Sequence, residues 1–254
     1  MNRKIIALLQ ARTDSTRLPK KVLKIILDKP MIIHQLQRTQ KSKYIDKLIL
    51  VTSNQDSDSQ LATIVKKYNF NIYRGDKDNV LKRFYSIAEE LKLSEDDIIV
   101  RLTGDCPLHD AMVIDESIEA FMKSDCDYLA NCIEPIYPDG LDVEVFNFKS
   151  LKEAYNSATL NFQREHVTPY IRDSGLFRVM NLNREPIHIN WRLTVDEEND
   201  LKLIVKIYEH FNSTYFSFKE IIKFLEQNGE LLQLNNKTNR NEGYLKSLRE
   251  DNDK

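Results

Sequence analysis

The sequence predicts an α/β fold, a Rossmann-like sheet that is mixed but mostly parallel and flanked by helices, and three observations predict it. Short continuous apolar runs alternate with helical patterns through the first half of the chain, as strands do when helices cover both their faces. Two of these runs end in loops of unusual chemistry, where ligands of such sheets sit. After about residue 130 the pattern turns to antiparallel-like alternation, which makes the sheet mixed.

Taken in order, Ile5 to Leu9 is the first strand, a polar loop runs to Lys21, and a helical pattern carrying Ile32, Ile33 and Leu36 follows Pro30. Leu48 to Val51 is a strand, Leu61 to Tyr68 a helix, Phe70 to Tyr73 a strand and Val80 to Leu91 a helix. Ile98 to Leu102 is the next strand, with a helix around Ile114 to Phe121. Val143 to Phe148 alternates like an antiparallel strand, Phe177 to Leu182 and Trp191 to Val195 read as further strands, and Leu201 to Phe211 and Ser217 to Gln227 read as amphipathic helices. The expected organisation is one domain over residues 1–234, with a smaller half from about 130 to 190, and a polar tail over 235–254 that frays.

With 254 residues, 41% hydrophobic and 30% charged, the chain buries a large core and is too polar to span a membrane. A net charge of -2 and a pI near 6.2 leave no broad cationic surface for nucleic acid, so any phosphate is held locally. Ile5 to Leu9 runs into Gln10 and Arg12, which fits neither a signal-peptide core nor a membrane span, and a cytoplasmic location is expected. Cys106, Cys126 and Cys132 form no CxxC pair and read as packing residues in a reducing compartment.

The first loop, QARTDSTRLPKKVL from Gln10 to Leu23, sets Arg12, Arg17, Lys20 and Lys21 beside Ser15 and Thr16 directly after a buried strand. Cations and hydroxyls in that place suit a polyphosphate, against the plainer reading of a solvated basic loop. The second, RLTGDCPLHD from Arg101 to Asp110, puts Asp105 at a strand tip, where a carboxylate holds a metal ion. Mg²⁺ takes one or two protein carboxylates, and Asp196 in WRLTVDEENDL is the second, unless it serves only as a helix N-cap. In YPDGLDVEVF, Asp142 and Glu144 face one side of a strand, as acceptor contacts or as ordinary surface acids. In REHVTPYIR, Arg164 and His166 precede Pro169, which marks the first turn or a kink of a helix. The first loop matches neither GxxxxGK[ST] nor GxGxxG.

These blocks, with RGDKDNVLKRF between the two loops, occur in this order from Gln10 to Leu201. Together they resemble the cytidylyltransferase superfamily, nearest to spore-coat polysaccharide biosynthesis proteins and more distantly to the CMP-acylneuraminate and CMP-Kdo synthetases. The resemblance implies a GT-A-type nucleotidyltransferase sheet, a Mg²⁺ cofactor and transfer of CMP from CTP to a small anionic acceptor, with a homodimer as the assembly. It assigns the nucleotide to Leu9, Gln10, Ala11, Arg12, Ser15, Arg17, Lys21, Val80, Arg83 and Asp105, and the metal to Asp105 and Asp196. Arg12, Lys21, Asp105 and Asp196 become the catalytic set, and Asp142, Glu144, Arg164 and His166 the acceptor set, within the smaller half.

Two residues depart from the pattern of such relatives, Asp14 in place of Gly or Ala and Lys20 in place of Gly. A carboxylate among phosphate ligands repels a triphosphate unless it turns away or meets a cation, and Lys20 is positioned to offset it. Two rivals remain open at this stage. One is a glycosyltransferase on the same kind of sheet, using a preformed nucleotide sugar; the other is a catalytically silent nucleotide-binding subunit.

Overall fold

The computed structural model describes residues 3–236, 238, 240 and 242–252. The chain runs β1 (Ile5–Gln10), β2 (Ile25–Ile26), β3 (Lys29–Pro30), α1 (Met31–Thr39), β4 (Lys47–Ser53), α2 (Ser59–Lys67), β5 (Asn71–Gly75), α3 (Val80–Glu90), β6 (Ile98–Thr103) and α4 (Ala111–Lys123). It continues with β7 (Tyr128–Ala130), β8 (Glu144–Asn147), α5 (Phe148–Ser157), α6 (Asn161–His166), α7 (Pro169–Asp173), β9 (Val179–Asn181), α8 (Glu198–Phe211), α9 (Phe218–Gln227) and α10 (Glu242–Asn252).

Among the described residues seven strands form one sheet in the order β5-β4-β1-β6-β8-β7-β9. The first four are mutually parallel, β8 runs antiparallel to β6 and β7, and β9 is parallel to β7. The mixed, mostly parallel sheet expected from the apolar runs is the one observed. Its central strands, β1 and β4 above all, are largely apolar because both faces are covered. In β1, Ile5, Ala7 and Leu9 join one core with α1, α2, α4, α8 and α9, while Ile6 and Leu8 join the other with α3 and α5. Helix starts follow local chemistry: Asn79, Asp110, Asn147 and Ser217 each accept a backbone N–H of the helix they precede.

Trp191 to Val195 is not a strand. Its backbone makes an isolated bridge between Asp139 and Arg192, Leu193 N–H donates to Asp139 O at 2.7 Å, and Val195 N–H donates to Asp105 O at 2.8 Å. Leu193 and Val195 are fully buried, which explains the strand-like signal, but their backbone partners are two loops rather than a sheet edge. Gly140, at φ +106°, allows this close approach, since a Cβ there would lie 2.5 Å from the Leu193 carbonyl carbon.

Three further differences concern short or terminal elements. β7, α5 and α6 carry no periodic signal, being three to ten residues long, whereas Pro169 opens α7 in its first turn, one of the two readings of its sequence. Phe177 to Leu182 contracts to β9, and Val143 to Phe148 to β8. The expected fraying tail instead begins with Asn235 buried, donating to Arg192 O at 3.0 Å and to Asp200 at 2.9 Å, and ends in α10.

Candidate active site

Strand order reverses at β1 and β6, so the loops after these neighbours open at one end of the sheet, the place where doubly wound folds bind ligands. Gly104 N–H donates to Gln10 O at 2.8 Å, and a Cβ on Gly104 would fall 2.6 Å from Ala11 Cβ. Absence of a side chain there lets the two loops touch. Between them and the second half of the chain lies a cavity of about 820 Å³, of a size that suits a nucleotide-scale ligand.

The first loop is pinned at Thr13, whose backbone N–H and hydroxyl both donate to Asp58 at 2.8 Å. Against its burial, the Ser53 and Thr13 hydrogen bonds hold the Asp58 carboxyl below the usual range. Lys20 adopts φ 55°, the left-handed region, and its ammonium reaches Gln60 rather than Asp14. Asp14 is met instead by Arg12, Nε to Oδ1 at 3.0 Å. The offsetting role expected of Lys20 thus falls to Arg12, because a left-handed turn at residue 20 directs the two lysines apart.

Lys21 is the hub. Its ammonium donates to Val195 O at 2.7 Å, to Asp196 at 2.9 Å and to Asp105 at 3.4 Å, which uses its three protons. Asp196 also meets Arg17 at 3.1 Å and Arg192 at 2.8 Å. The carboxylates expected from distant parts of the sequence therefore share one cation. Burial works against the charge on Lys21, yet Asp105 and Asp196 raise its pKa. Burial likewise opposes the charge on Asp105, and Lys21 with Thr103 and Cys106 overcomes it, holding that carboxyl low. Both groups are charged at neutral pH.

Of the remaining nucleotide assignments, Gln10, Ala11, Arg12, Ser15, Arg17, Val80 and Arg83 line the cavity. Leu9 does not; its side chain is wholly in the core. Arg83 is 2% exposed and spends Nε and Nη2 on Asp76 O and Nη2 on Lys77 O, so it shapes the turn before α3.

In the acceptor half, Glu144 is enclosed by Arg101, by Tyr128 Oη at 2.6 Å and by Thr168 Oγ1 at 2.6 Å. It fixes three neighbours rather than facing solvent. Asp142 precedes β8 and pairs with Arg240. Burial, with Asp139, Glu144 and Asp105 nearby, pushes Asp142 up to about 7 in spite of Arg240. Arg164 lies outside the cavity lining, donating to Ala158 O at 3.2 and 3.3 Å, because α6 turns it back on the preceding loop.

His166 does line the cavity. It sits before Val167, whose φ 72° and ψ -57°, with Thr168 N–H donating to His166 O at 2.8 Å, make a strained γ-turn. That turn aims His166 and Thr168 into the cavity together. Burial first, then Arg101, holds the imidazole pKa below its ordinary value, so it is neutral, and its buried Nε2 has no hydrogen-bond partner among the described residues. Glu165 Oε2 lies 4.0 Å from that nitrogen.

Sequence reasoning passed over Arg101, Arg172, Arg192 and Tyr244, all of which line the cavity. Arg101, Arg172 and Arg192 stand inside quoted blocks, and their one signal is an arginine beside apolar residues. Asp105 and Asp196 offer hard carboxylate oxygens already converging on a cation, so they fit Mg²⁺, whose remaining positions phosphate oxygens and water would fill. Among the described residues no helix is long and apolar enough to cross a membrane.

A sequence model described as cytidylyltransferase matches residues 6–238. An uncharacterized protein of Methanocaldococcus jannaschii is 37% identical over 241 residues, covering 91% of this chain and 94% of its own. The spore coat polysaccharide biosynthesis protein SpsF of Bacillus subtilis is 33% identical over 236 residues, covering 88% and 95%. The structure of a cytidylyltransferase from Leptospira borgpetersenii superposes with a TM-score of 0.86 at 29% identity, covering 91% of this chain and 98% of that one. With these matches spanning both site loops and the acceptor half, the chain belongs to the cytidylyltransferase family.

Proposed function

We propose that the chain transfers CMP from CTP to an acidic sugar, or to a small molecule bearing phosphate or phosphonate, and releases pyrophosphate, in the synthesis of a surface polysaccharide or glycoconjugate. The observation that carries this reading is Lys21 holding Asp105 and Asp196 together at the strand-order reversal, beside a loop with Arg12 and Arg17.

An acceptor oxygen attacks the α-phosphorus in line, a new P–O bond forms, and the bond from that phosphorus to the oxygen bridging it to the β-phosphorus breaks, that oxygen leaving on pyrophosphate. Arg12, Arg17 and Lys21 face the charge that grows on the departing pyrophosphate. Mg²⁺ bound by Asp105 and Asp196 would supply further charge neutralisation there. If the acceptor is a hydroxyl, its proton passes to a base, and the cavity offers neutral His166 and Asp142, the second pushed up to about 7 by burial. A phosphate or phosphonate acceptor is already ionised. The SpsF relative, a spore coat polysaccharide biosynthesis protein by name, supports the pathway assignment.

The reading is tested by pyrophosphate release with CTP, Mg²⁺ and a panel of acidic sugars, sugar phosphates and phosphonates. Asp105→Asn and Asp196→Asn should each lower turnover by roughly 10²-fold or more. Undiminished turnover in both variants removes them as metal ligands.

A further inference from the structure

The match to the family ends at residue 238, but the chain does not leave the site there. Helix α10 follows, and Tyr244 and Ser247 on it line the same cavity as Lys21 and Asp105. It packs on α6, the helix that ends in His166. Ser247 Oγ donates to Glu165 Oε2 at 3.1 Å, and the Tyr244 ring stands edge-on to His166 at 5.2 Å and to Phe162 at 6.2 Å. One wall of the acceptor half therefore comes from a segment outside the shared family sequence.

That wall holds an arginine. Arg172 donates Nε and Nη2 to the two oxygens of Asp173, each at 2.7 Å, and Nη2 also to Tyr244 Oη at 2.7 Å. The guanidinium carbon lies 5.3 Å from the Tyr244 ring centroid. Two partners from different helices thus fix one edge of a cavity-lining guanidinium, while Nη1 makes none of the hydrogen bonds among the described residues. A guanidinium whose plane is set in advance binds a carboxylate or phosphate with less loss of freedom than a mobile one.

We infer that Tyr244 is a positioning residue for acceptor choice: by holding Arg172 it selects acceptors that carry a carboxylate or phosphate. The inference rests on the proposed transferase reading. Tyr244→Phe keeps the ring against His166 and Phe162 and removes only the hydroxyl, so the fold is retained, as a thermal midpoint checks. With CTP saturating, Tyr244→Phe should raise the KM of anionic acceptors about tenfold and leave kcat and the Kd of CTP within about twofold, the split expected when ground-state binding of one substrate is lost. In an Arg172→Lys background the same change should add less than about twofold, because both substitutions remove one interaction.

An unchanged acceptor KM in Tyr244→Phe, or full additivity with Arg172→Lys, overturns the inference. So does a uniform rise in activity on every acceptor with tighter CTP binding, which would make α10 a plug. If the full chain releases no pyrophosphate with any acceptor, the transferase reading fails by itself. Equilibrium binding of 3-deoxy-manno-octulosonate and N-acetylneuraminate then decides the role of Tyr244 separately. Weaker binding by Tyr244→Phe supports it; a parent that binds neither sugar, or a variant that binds as the parent does, contradicts it.

Discussion

Lys21→Met should lower pyrophosphate release by roughly 10²–10³-fold, the loss typical of removing a preorganised charge from a site where charge develops. Methionine keeps the length and apolar stem of lysine, so the buried passage between the loops stays filled. What disappears is the ammonium that three acceptors share, the carboxylates of Asp105 and Asp196 and the carbonyl of Val195. Asp196 keeps Arg17 and Arg192, whereas Asp105 loses the cation that holds its carboxyl low and takes up a proton more readily than in the parent. The free variant should melt earlier than the parent, and Mg²⁺ should raise its melting temperature more than it raises that of the parent, because a divalent ion replaces the missing charge. Steady-state turnover and melting with and without Mg²⁺ check both statements. Turnover within tenfold of the parent would show that Lys21 is a structural ammonium only.

Arg192→Leu should cost roughly 3–5 kcal/mol of folding stability, the range for stripping the partner from a buried ion pair. Arg192 is 6% exposed and reaches Asp139 at 2.7 Å, Asp196 at 2.8 Å and Asp200 at 3.0 Å. Asp200 is itself 1% exposed and accepts the backbone N–H groups of Asp196 and Glu197, both at 2.9 Å. Arg192 therefore ties the Pro138–Gly140 turn, the segment that carries Asp196 and the start of α8 into one unit. Leucine supports none of these carboxylates, and activity should fall along with stability since Asp196 loses its fixed position. Urea unfolding followed by circular dichroism measures the first effect, and pyrophosphate release the second. A midpoint shift equivalent to less than about 1 kcal/mol would place Arg192 among ordinary surface pairs.

The half of the fold built from local rules was legible in the sequence. Runs such as Ile5 to Leu9 and Ile98 to Leu102 read as doubly covered strands and are strands, and the loops that follow them line the cavity. The meeting of Asp105 with Asp196 was also foreseen, though from the resemblance of ordered blocks rather than from periodicity. What stayed hidden depends on contacts far apart in sequence. Lys21 and Asp196 are 175 residues apart, and no local pattern says that one ammonium serves both acids. Trp191 to Val195 has a strand's composition but hydrogen-bonds to loops, which alternation does not reveal. The resemblance assigns Glu144, Arg83 and Arg164 to ligands; Glu144 and Arg83 line the cavity and Arg164 does not. What no residue type reveals is their protein partners: Glu144 meets Arg101, Tyr128 and Thr168, Arg83 meets Asp76 and Lys77, and Arg164 meets Ala158. The polar tail reads as frayed because its charges dominate the composition, yet Asn235 and Tyr244 have partners waiting in the domain.

One nucleotide and one divalent ion are proposed to bind where Lys21 gathers Asp105 and Asp196, and a crystal soaked with CTP and Mg²⁺ will show where each of them lies. Metal density should touch both carboxylates, with the triphosphate across Arg12, Ser15, Arg17 and Lys21. Density for CTP elsewhere, or a metal ion touching neither Asp105 nor Asp196, would contradict that placement.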